Sequence, residues 1–234
     1  MSASVLVIGG GSGIGLALAH HYYALGATVS VISRQPAAGQ QWYWYQDELQ
    51  QHAITEQLLQ QALQQQPDTI FICNGVLHDA QAAPEKTIRQ FDTEVLLSRV
   101  TSNVAVPARY LQLLFNYLCK TPNIKLLVLS AKVGSITDNA LGGWYSYRIS
   151  KAALNMLVKN LSIEVSRLNK SAAIVSVHPG TTDTALSMPF QANLPQGQLQ
   201  SAASTALRLA HVAAGLQPAA SGCLLNWDGS ILPY

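Results

Sequence analysis

An apolar, β-branched run over residues 5–8 opens directly into Gly9-Gly10-Gly11-Ser12-Gly13-Ile14-Gly15, and a helical pattern follows. A glycine-rich turn of this kind lets the backbone approach a ligand where any Cβ would block it. It also gathers unpaired N–H groups at the positive end of a helix, which suits a phosphate. The glycines fit a G-x-x-x-G-x-G spacing through Gly9, Gly13 and Gly15, with Ser12 and Ile14 inside the turn, rather than G-x-G-x-x-G. A tight structural turn is the alternative. The position after a first strand and before a helix favours a dinucleotide pyrophosphate.

The remaining sequence repeats the strand-then-helix order. Strands are expected over 5–8, 28–33, 42–46, 69–73, 125–130, 173–177 and 223–226, and helices over 14–24, 54–65, 91–118, 146–168 and 202–213. Several strands are continuously apolar, as when helices cover both faces of a sheet. This predicts one α/β domain spanning 1–234, a doubly wound parallel sheet with helices on both faces. The glutamines from Gln57 to Gln66 are expected on a solvated helix face, and Trp227-Asp228-Gly229 in a tight turn after the last strand.

Only 11% of the 234 residues are charged, and the formal net charge is +2. No Lys/Arg cluster offers a footprint for nucleic acid. Cys73, Cys119 and Cys223 are odd in number and far apart, which argues against a disulfide framework and for small buried hydrophobes. His78 and His178 lack partners at metal-ligand spacing and are read as structural, with no metal expected. Without a basic leader or an apolar run of membrane-spanning length, the expected compartment is the cytoplasm.

The end of the second strand is where an adenosine ribose is read. An acid there favours a free 2′-hydroxyl, but the chain has Ser33-Arg34. A guanidinium pairs well with a 2′-phosphate, so NADP(H) is expected over NAD(H), unless Arg34 is only a solvated loop residue. Asp47, after the third strand, is placed to accept from the adenine amino group or to cap a turn.

Tyr147 and Lys151 stand at i and i+4, on one face of a helix. A phenol is a poor base at neutral pH, and a neighbouring ammonium is expected to lower its pKa toward the working range.

With these residues in place, the chain resembles the short-chain dehydrogenase/reductase family along essentially its whole length. The marks are Gly9/Gly13/Gly15, Cys73-Asn74-Gly75 in place of N-A-G, Asn103, Tyr147/Lys151, and Pro179-Gly180 followed by Thr184. Gly134-Ser135-Ile136 and residues 142–155 look most like the C-factor and Sniffer-type carbonyl reductase branch. The resemblance implies a Rossmann-type fold and hydride transfer between NADP(H) and a small carbonyl or alcohol. A C-factor-like signalling protein with incidental turnover is the second reading. A homo-oligomer built on the helices carrying Asn103 and Tyr147 is also implied.

The resemblance assigns roles as well. Tyr147 exchanges the proton, and Lys151 binds the nicotinamide ribose and tunes the phenol. Asn103 holds a relay water, unless it only satisfies a carbonyl loosened by Pro107. Asn74 and Gly75 border the adenosine ribose. The backbone near Thr182 takes the carboxamide, with Thr184 close by unless it caps a helix. Leu186, Met188 and Phe190 form an apolar lid or a plain surface loop, and Trp144 lines the pocket or packs beneath a loop. One departure stands out: aligning Gly134 puts Ala131 where the family has its catalytic serine. Ser130 and Ser135 are the possible replacements. Ser135 is preferred, because Ser130 closes a buried strand.

Overall fold

The computed structural model describes residues 3–79, 82–192 and 194–234. Eight strands form one sheet in the order β3-β2-β1-β4-β5-β6-β7-β8. They are β1 (Ser4–Ile8), β2 (Thr28–Ser33), β3 (Tyr43–Gln46), β4 (Thr69–Ile72), β5 (Lys125–Leu129), β6 (Ala173–Val177), β7 (Leu224–Leu225) and β8 (Ile231–Leu232). Every pairing is parallel except β7 with β8. The β7–β8 hairpin turns at Trp227-Asp228-Gly229, as expected. Asn226 N–H donates to Ser230 O at 2.8 Å, and Gly229 adopts φ +85°. The antiparallel β8 was missed, since two residues carry no readable period.

Alternate strand residues face two cores. Leu6, Ile8, Ile70, Leu126 and Val128 pack with α2 (His52–Leu63), α4 (Val106–Lys120) and α5 (Tyr145–Leu168). Val5, Val7, Val31, Phe71, Leu127 and Val175 pack with α1 (Gly13–Ala24) and α6 (Ala202–Gly215). Burial on both faces is why the strands read as unbroken apolar runs. Each fully buried aliphatic side chain contributes about 1.5–3 kcal/mol. The α2 glutamines are solvated as expected, while Thr55, Leu59 and Ala62 form its buried stripe.

The helix expected over 91–118 is three pieces. After a short 3₁₀ turn (Ile88–Gln90), α3 (Thr93–Val100) starts at Asp92, whose carboxylate accepts from Glu94 N–H at 2.7 Å. A π-helical turn follows at Thr101–Ala105 and then α4. Pro107 has no N–H for an i−4 bond to Asn103, and Val106 N–H instead donates five residues back to Thr101 O.

The strand order reverses between β1 and β4, which flank each other at the centre of the sheet. Ligands of open α/β sheets sit outside the carboxyl ends of the strands at such a switch point. The glycine turn leaves β1 there, and Asn74-Gly75 leaves β4 beside it.

Candidate functional site

The glycine turn folds back on the sheet through Gly9 N–H and Gly10 N–H, which both donate to Ile32 O at 2.8 and 3.3 Å. Gly9 has φ +81°, and a Cβ there would lie 3.0 Å from Asn74 N. At Gly15 a Cβ would lie 2.5 Å from Gly9 O, so the helix start and the strand end touch backbone to backbone. Ser12 precedes α1 in extended conformation and makes no side-chain cap. The first-turn N–H groups of α1, at Gly13, Ile14 and Gly15, therefore remain available to an anion.

A cleft of about 180 Å³ opens beside this turn, lined by Gly9, Ser12, Ser33, Arg34, Asn74 and Gly75 among others. Asn74 Oδ1 is buried in the wall without a hydrogen-bond partner among the described residues. Leaving such an acceptor unpaired costs about 1–3 kcal/mol, which a ligand donor would recover. The Arg34 side chain is exposed and makes no ion pair among the described residues. These features fit a dinucleotide. Asp47 also lines the cleft, but both its oxygens are engaged internally, with Leu49 N–H at 2.8 Å and Tyr110 O–H at 2.7 Å. That is the turn-capping alternative for Asp47.

Thr184 faces the same turn: a Cβ on Gly13 would lie 3.2 Å from its Cγ2. It does not cap an α-helix, because only a 3₁₀ turn (Met188–Phe190) follows. Thr182 is buried, with its hydroxyl on Thr205 Oγ1 at 2.8 Å. Pro179 ends in a left-handed Gly180 (φ +80°), where a Cβ would meet the Trp227 ring at 3.2 Å.

Tyr147 and Lys151 lie on α5 where it crosses the ends of β4 and β5. Lys151 Nζ donates to Leu129 O at 2.9 Å, and a Cβ on Gly75 would lie 3.3 Å from Nζ. Gly134 also lets the loop after β5 pack against this segment, for a Cβ there would lie 2.9 Å from Lys151 C and Cβ. Burial pushes the Tyr147 phenol above its ordinary pKa and lowers Lys151 to about 8. The expected lowering of the phenol by its lysine is thus reversed. The ammonium stands 5.9 Å from the ring centre and donates to a carbonyl, so desolvation outweighs its attraction.

Asn103 is fully buried in the π turn and spans to β4's outgoing loop. Its Oδ1 accepts from Val76 N–H at 2.7 Å, and its Nδ2 donates to Val76 O and Ser150 Oγ, both at 2.9 Å. It therefore ties the loop to α5 rather than healing its own helix.

Tyr147 belongs to an apolar cluster with Leu77 and Ala131, against which Trp144, Leu186 and Phe190 pack. The Trp144 ring centre lies 6.3 Å from that of Tyr147 and 5.1 Å from that of Phe190. Leu186 and Phe190 pack against the cluster, while Met188 is exposed. Ala131 puts a methyl group beside Tyr147. Ser130 Oγ is buried and donates to Asn155 Oδ1 at 2.6 Å. Ser135 is buried, and its oxygen accepts from Asp138 N–H at 3.1 Å. Its O–H has no acceptor among the described residues.

Sequence reasoning missed how α5 begins. Gly142, Gly143 and Trp144 are left-handed in succession, with φ +65°, +67° and +53°. For tryptophan this costs about 1–2 kcal/mol. Trp144 N–H donates to Glu85 O at 2.5 Å, and Arg148 Nε to Gly143 O at 3.0 Å. The buried Glu85 carboxylate takes Ser146 N–H and the Ser146 hydroxyl. Glu85 is 61 residues from Ser146, and no local pattern marks it.

The switch-point cleft and its glycine turn define a dinucleotide-binding α/β protein. The family model for short chain dehydrogenases matches residues 3–195, and the chain belongs to that family of oxidoreductases, which use nicotinamide cofactors. Its fold is similar to that of the carbonyl reductase Sniffer of D. melanogaster, with TM-score 0.85 and 19% identity over all of both chains. It is also similar to the NADPH-bound carbonyl reductase from chicken fatty liver, with TM-score 0.83 and 23% identity over all of this chain and 94% of the other. Among curated sequences, the C-signal of Myxococcus xanthus is 33% identical over 106 residues, 45% of this chain and 58% of that protein.

Proposed function

We propose that the protein is an NADP(H)-dependent oxidoreductase acting on a small, largely apolar carbonyl or alcohol, with Tyr147 as proton donor and acceptor. The observation that carries this reading is the approach of Lys151 Nζ, one helical turn from the buried Tyr147, to Gly75 in the wall of the cleft that begins at the glycine turn. Gly9, Ser12, Gly13, Ile14 and Gly15 would hold the pyrophosphate. Ser33 and Arg34 would hold the 2′-phosphate, and Asn74 and Gly75 the adenosine ribose. Asp47 frames the adenine end, and Pro179, Gly180, Thr182 and Thr184 the nicotinamide end. A likeness to an NADPH-bound carbonyl reductase supports the phosphorylated cofactor.

Bound there, the nicotinamide supplies or takes the hydride. Tyr147 gives its phenolic proton to the carbonyl oxygen in reduction and recovers it in oxidation. A phenol held neutral by burial is ready to donate. Lys151 would hold the nicotinamide ribose and support the phenolate after donation, while Asn103 would serve the proton relay behind Lys151. Leu77, Ala131, Trp144, Leu186 and Phe190 exclude water and favour an apolar substituent. Ser135 is the candidate second donor, since its O–H is not committed.

The test is NADPH oxidation across a panel of ketones, aldehydes and quinones, repeated with Tyr147→Phe. A second reading, a nucleotide-binding signalling protein, is favoured by the C-signal similarity and by Ala131. Tight NADPH binding with no turnover on any carbonyl would favour that reading instead.

A further inference from the structure

We propose that Glu85 is the positioning residue for the proton donor: its carboxylate closes the first turn of α5 and so fixes the Trp144 and Tyr147 rings. The proposal rests on Tyr147 being the proton donor. A helix leaves its first N–H groups unpaired, and an N-cap side chain normally accepts from them. Trp144 stands at that position and has no acceptor to offer.

Glu85 provides the acceptor from a distant loop. Both carboxylate oxygens lie 3.3 Å from Ser146 N, and one also takes the Ser146 hydroxyl. The Glu85 backbone carbonyl accepts from Trp144 N–H. A Cβ on Gly143 would lie 3.4 Å from both Glu85 O and Lys86 O, so the two loops meet backbone to backbone. A negative charge at a helix N-terminus is favourable, and at 4% exposure water competes little for it.

The loop carrying Glu85 is itself held. Arg99 on α3 is 2% exposed, and its guanidinium reaches Asp79 Oδ2 at 2.7 Å and Ala82 O at 3.4 Å. Lys86 N–H donates to Gln90 Oε1 at 2.7 Å. Glu85 is therefore fixed from both sides of its loop.

Tyr147 is the residue after Ser146, so its backbone position follows the capped turn. Trp144 persists in a left-handed conformation only while its surroundings over-determine it. Without the Glu85 carboxylate the first turn frays, Trp144 relaxes, and Tyr147 loses its place in the cluster with Leu77 and Ala131. A displacement of the order of an ångström at a reacting group costs up to roughly 100-fold in rate. The glycine turn and Arg34, proposed to hold the pyrophosphate and the 2′-phosphate, lie elsewhere, and Lys151 stands one turn beyond the clamped segment, so NADPH affinity should change little when the clamp is lost.

The experiment compares Glu85→Ala, Glu85→Gln and Ser146→Ala with the unmodified full chain. Amide hydrogen exchange over residues 144–148, NADPH affinity, and kcat and KM on an accepted carbonyl are measured. In Glu85→Ala, exchange over that segment should accelerate at least about tenfold. Its kcat should fall roughly 10–100-fold with NADPH Kd unchanged. Glu85→Gln, which keeps an acceptor for Ser146, should recover most of both, and Ser146→Ala should fall between. Unchanged exchange in Glu85→Ala overturns the proposal. So does unchanged kcat, or a loss of NADPH binding in parallel with kcat. If the unmodified protein reduces no carbonyl, the proposed carbonyl reduction fails, and with it the role of Glu85 in catalysis; the exchange rates then decide the clamp by themselves.

Discussion

Lys151 Nζ donates to the carbonyl oxygen of Leu129 at 2.9 Å, where β5 ends. The bond gives a buried ammonium one strong acceptor, with no counter-ion among the described residues, and burial holds its pKa at about 8. The unfolded lysine titrates near ~10.4. Between these values the unfolded chain binds more protons, so stability rises with pH across that window. Below pH 8 the full cost of the buried charge, on the order of 3 kcal/mol, is present. Lys151→Met should therefore be more stable than the parent at pH 7, and the difference should shrink as pH approaches 10. Urea melts of both proteins at several pH values check this; a difference that does not vary with pH contradicts it.

Tyr147→Phe removes the proton and keeps the ring against Trp144 and Ala131. NADPH binding should change little, while kcat falls by on the order of 10² or more. Fluorescence titration with single-turnover kinetics separates the two effects, and substantial residual activity would mean another group supplies the proton.

Arg34 is exposed at the end of β2, beside the cleft. NADPH should bind at least about tenfold more tightly than NADH, as expected for a charge-assisted bond to phosphate worth about 1.5–3 kcal/mol. Arg34→Asp should erase or reverse the preference. Isothermal titration with both cofactors decides it, and equal affinities in the parent would remove the argument for NADP.

Three residues after β5 have separable roles. Ser130→Ala should lower stability by about 1–3 kcal/mol, because Asn155 Oδ1 loses its buried donor. Ser135→Ala should mainly lower kcat, although a loss of Asp138 docking accompanies it. Ala131→Ser adds a hydroxyl beside Tyr147 and should raise kcat, since one well-placed oxyanion donor is worth about 10²–10³ in rate. Thermal melts and kcat on the three variants test these assignments; an Ala131→Ser variant no faster than the parent would show that a second donor is already in place.

The faces of α4 and α5 border a groove of about 430 Å³, lined by apolar Ala108, Leu111, Phe115, Leu157 and Leu161 and by polar Gln112, Asn160 and Glu164. A second copy meeting this face would make a homodimer with the helices of Asn103 and Tyr147 at its centre. Light scattering at micromolar concentration should give twice the mass of 25.1 kDa, and Leu157→Glu should halve it. A monomeric parent ends the idea.

No helix among the described residues is long and apolar enough to cross a membrane. That compositional property was legible from the start, as was the parallel sheet. Continuous apolar strands, alternating with amphipathic helices, encode burial on two faces, and each signal is local. The glycine turn was legible for the same reason, because backbone approach is demanded residue by residue at Gly9 and Gly15.

The amino-acid sequence by itself determined the succession of strands β1 to β7, the glycine turn after β1 and the i, i+4 spacing of Tyr147 and Lys151. Tertiary structure alone decided the electrostatics of that pair, because desolvation depends on everything packed around it rather than on spacing. It also decided the partners of Asp47, Asn103 and Ser130, and it brought Glu85 to the start of α5. Those bonds join residues 25 to 63 positions apart, and a hydrogen bond across such a distance leaves no periodicity in the chain to read.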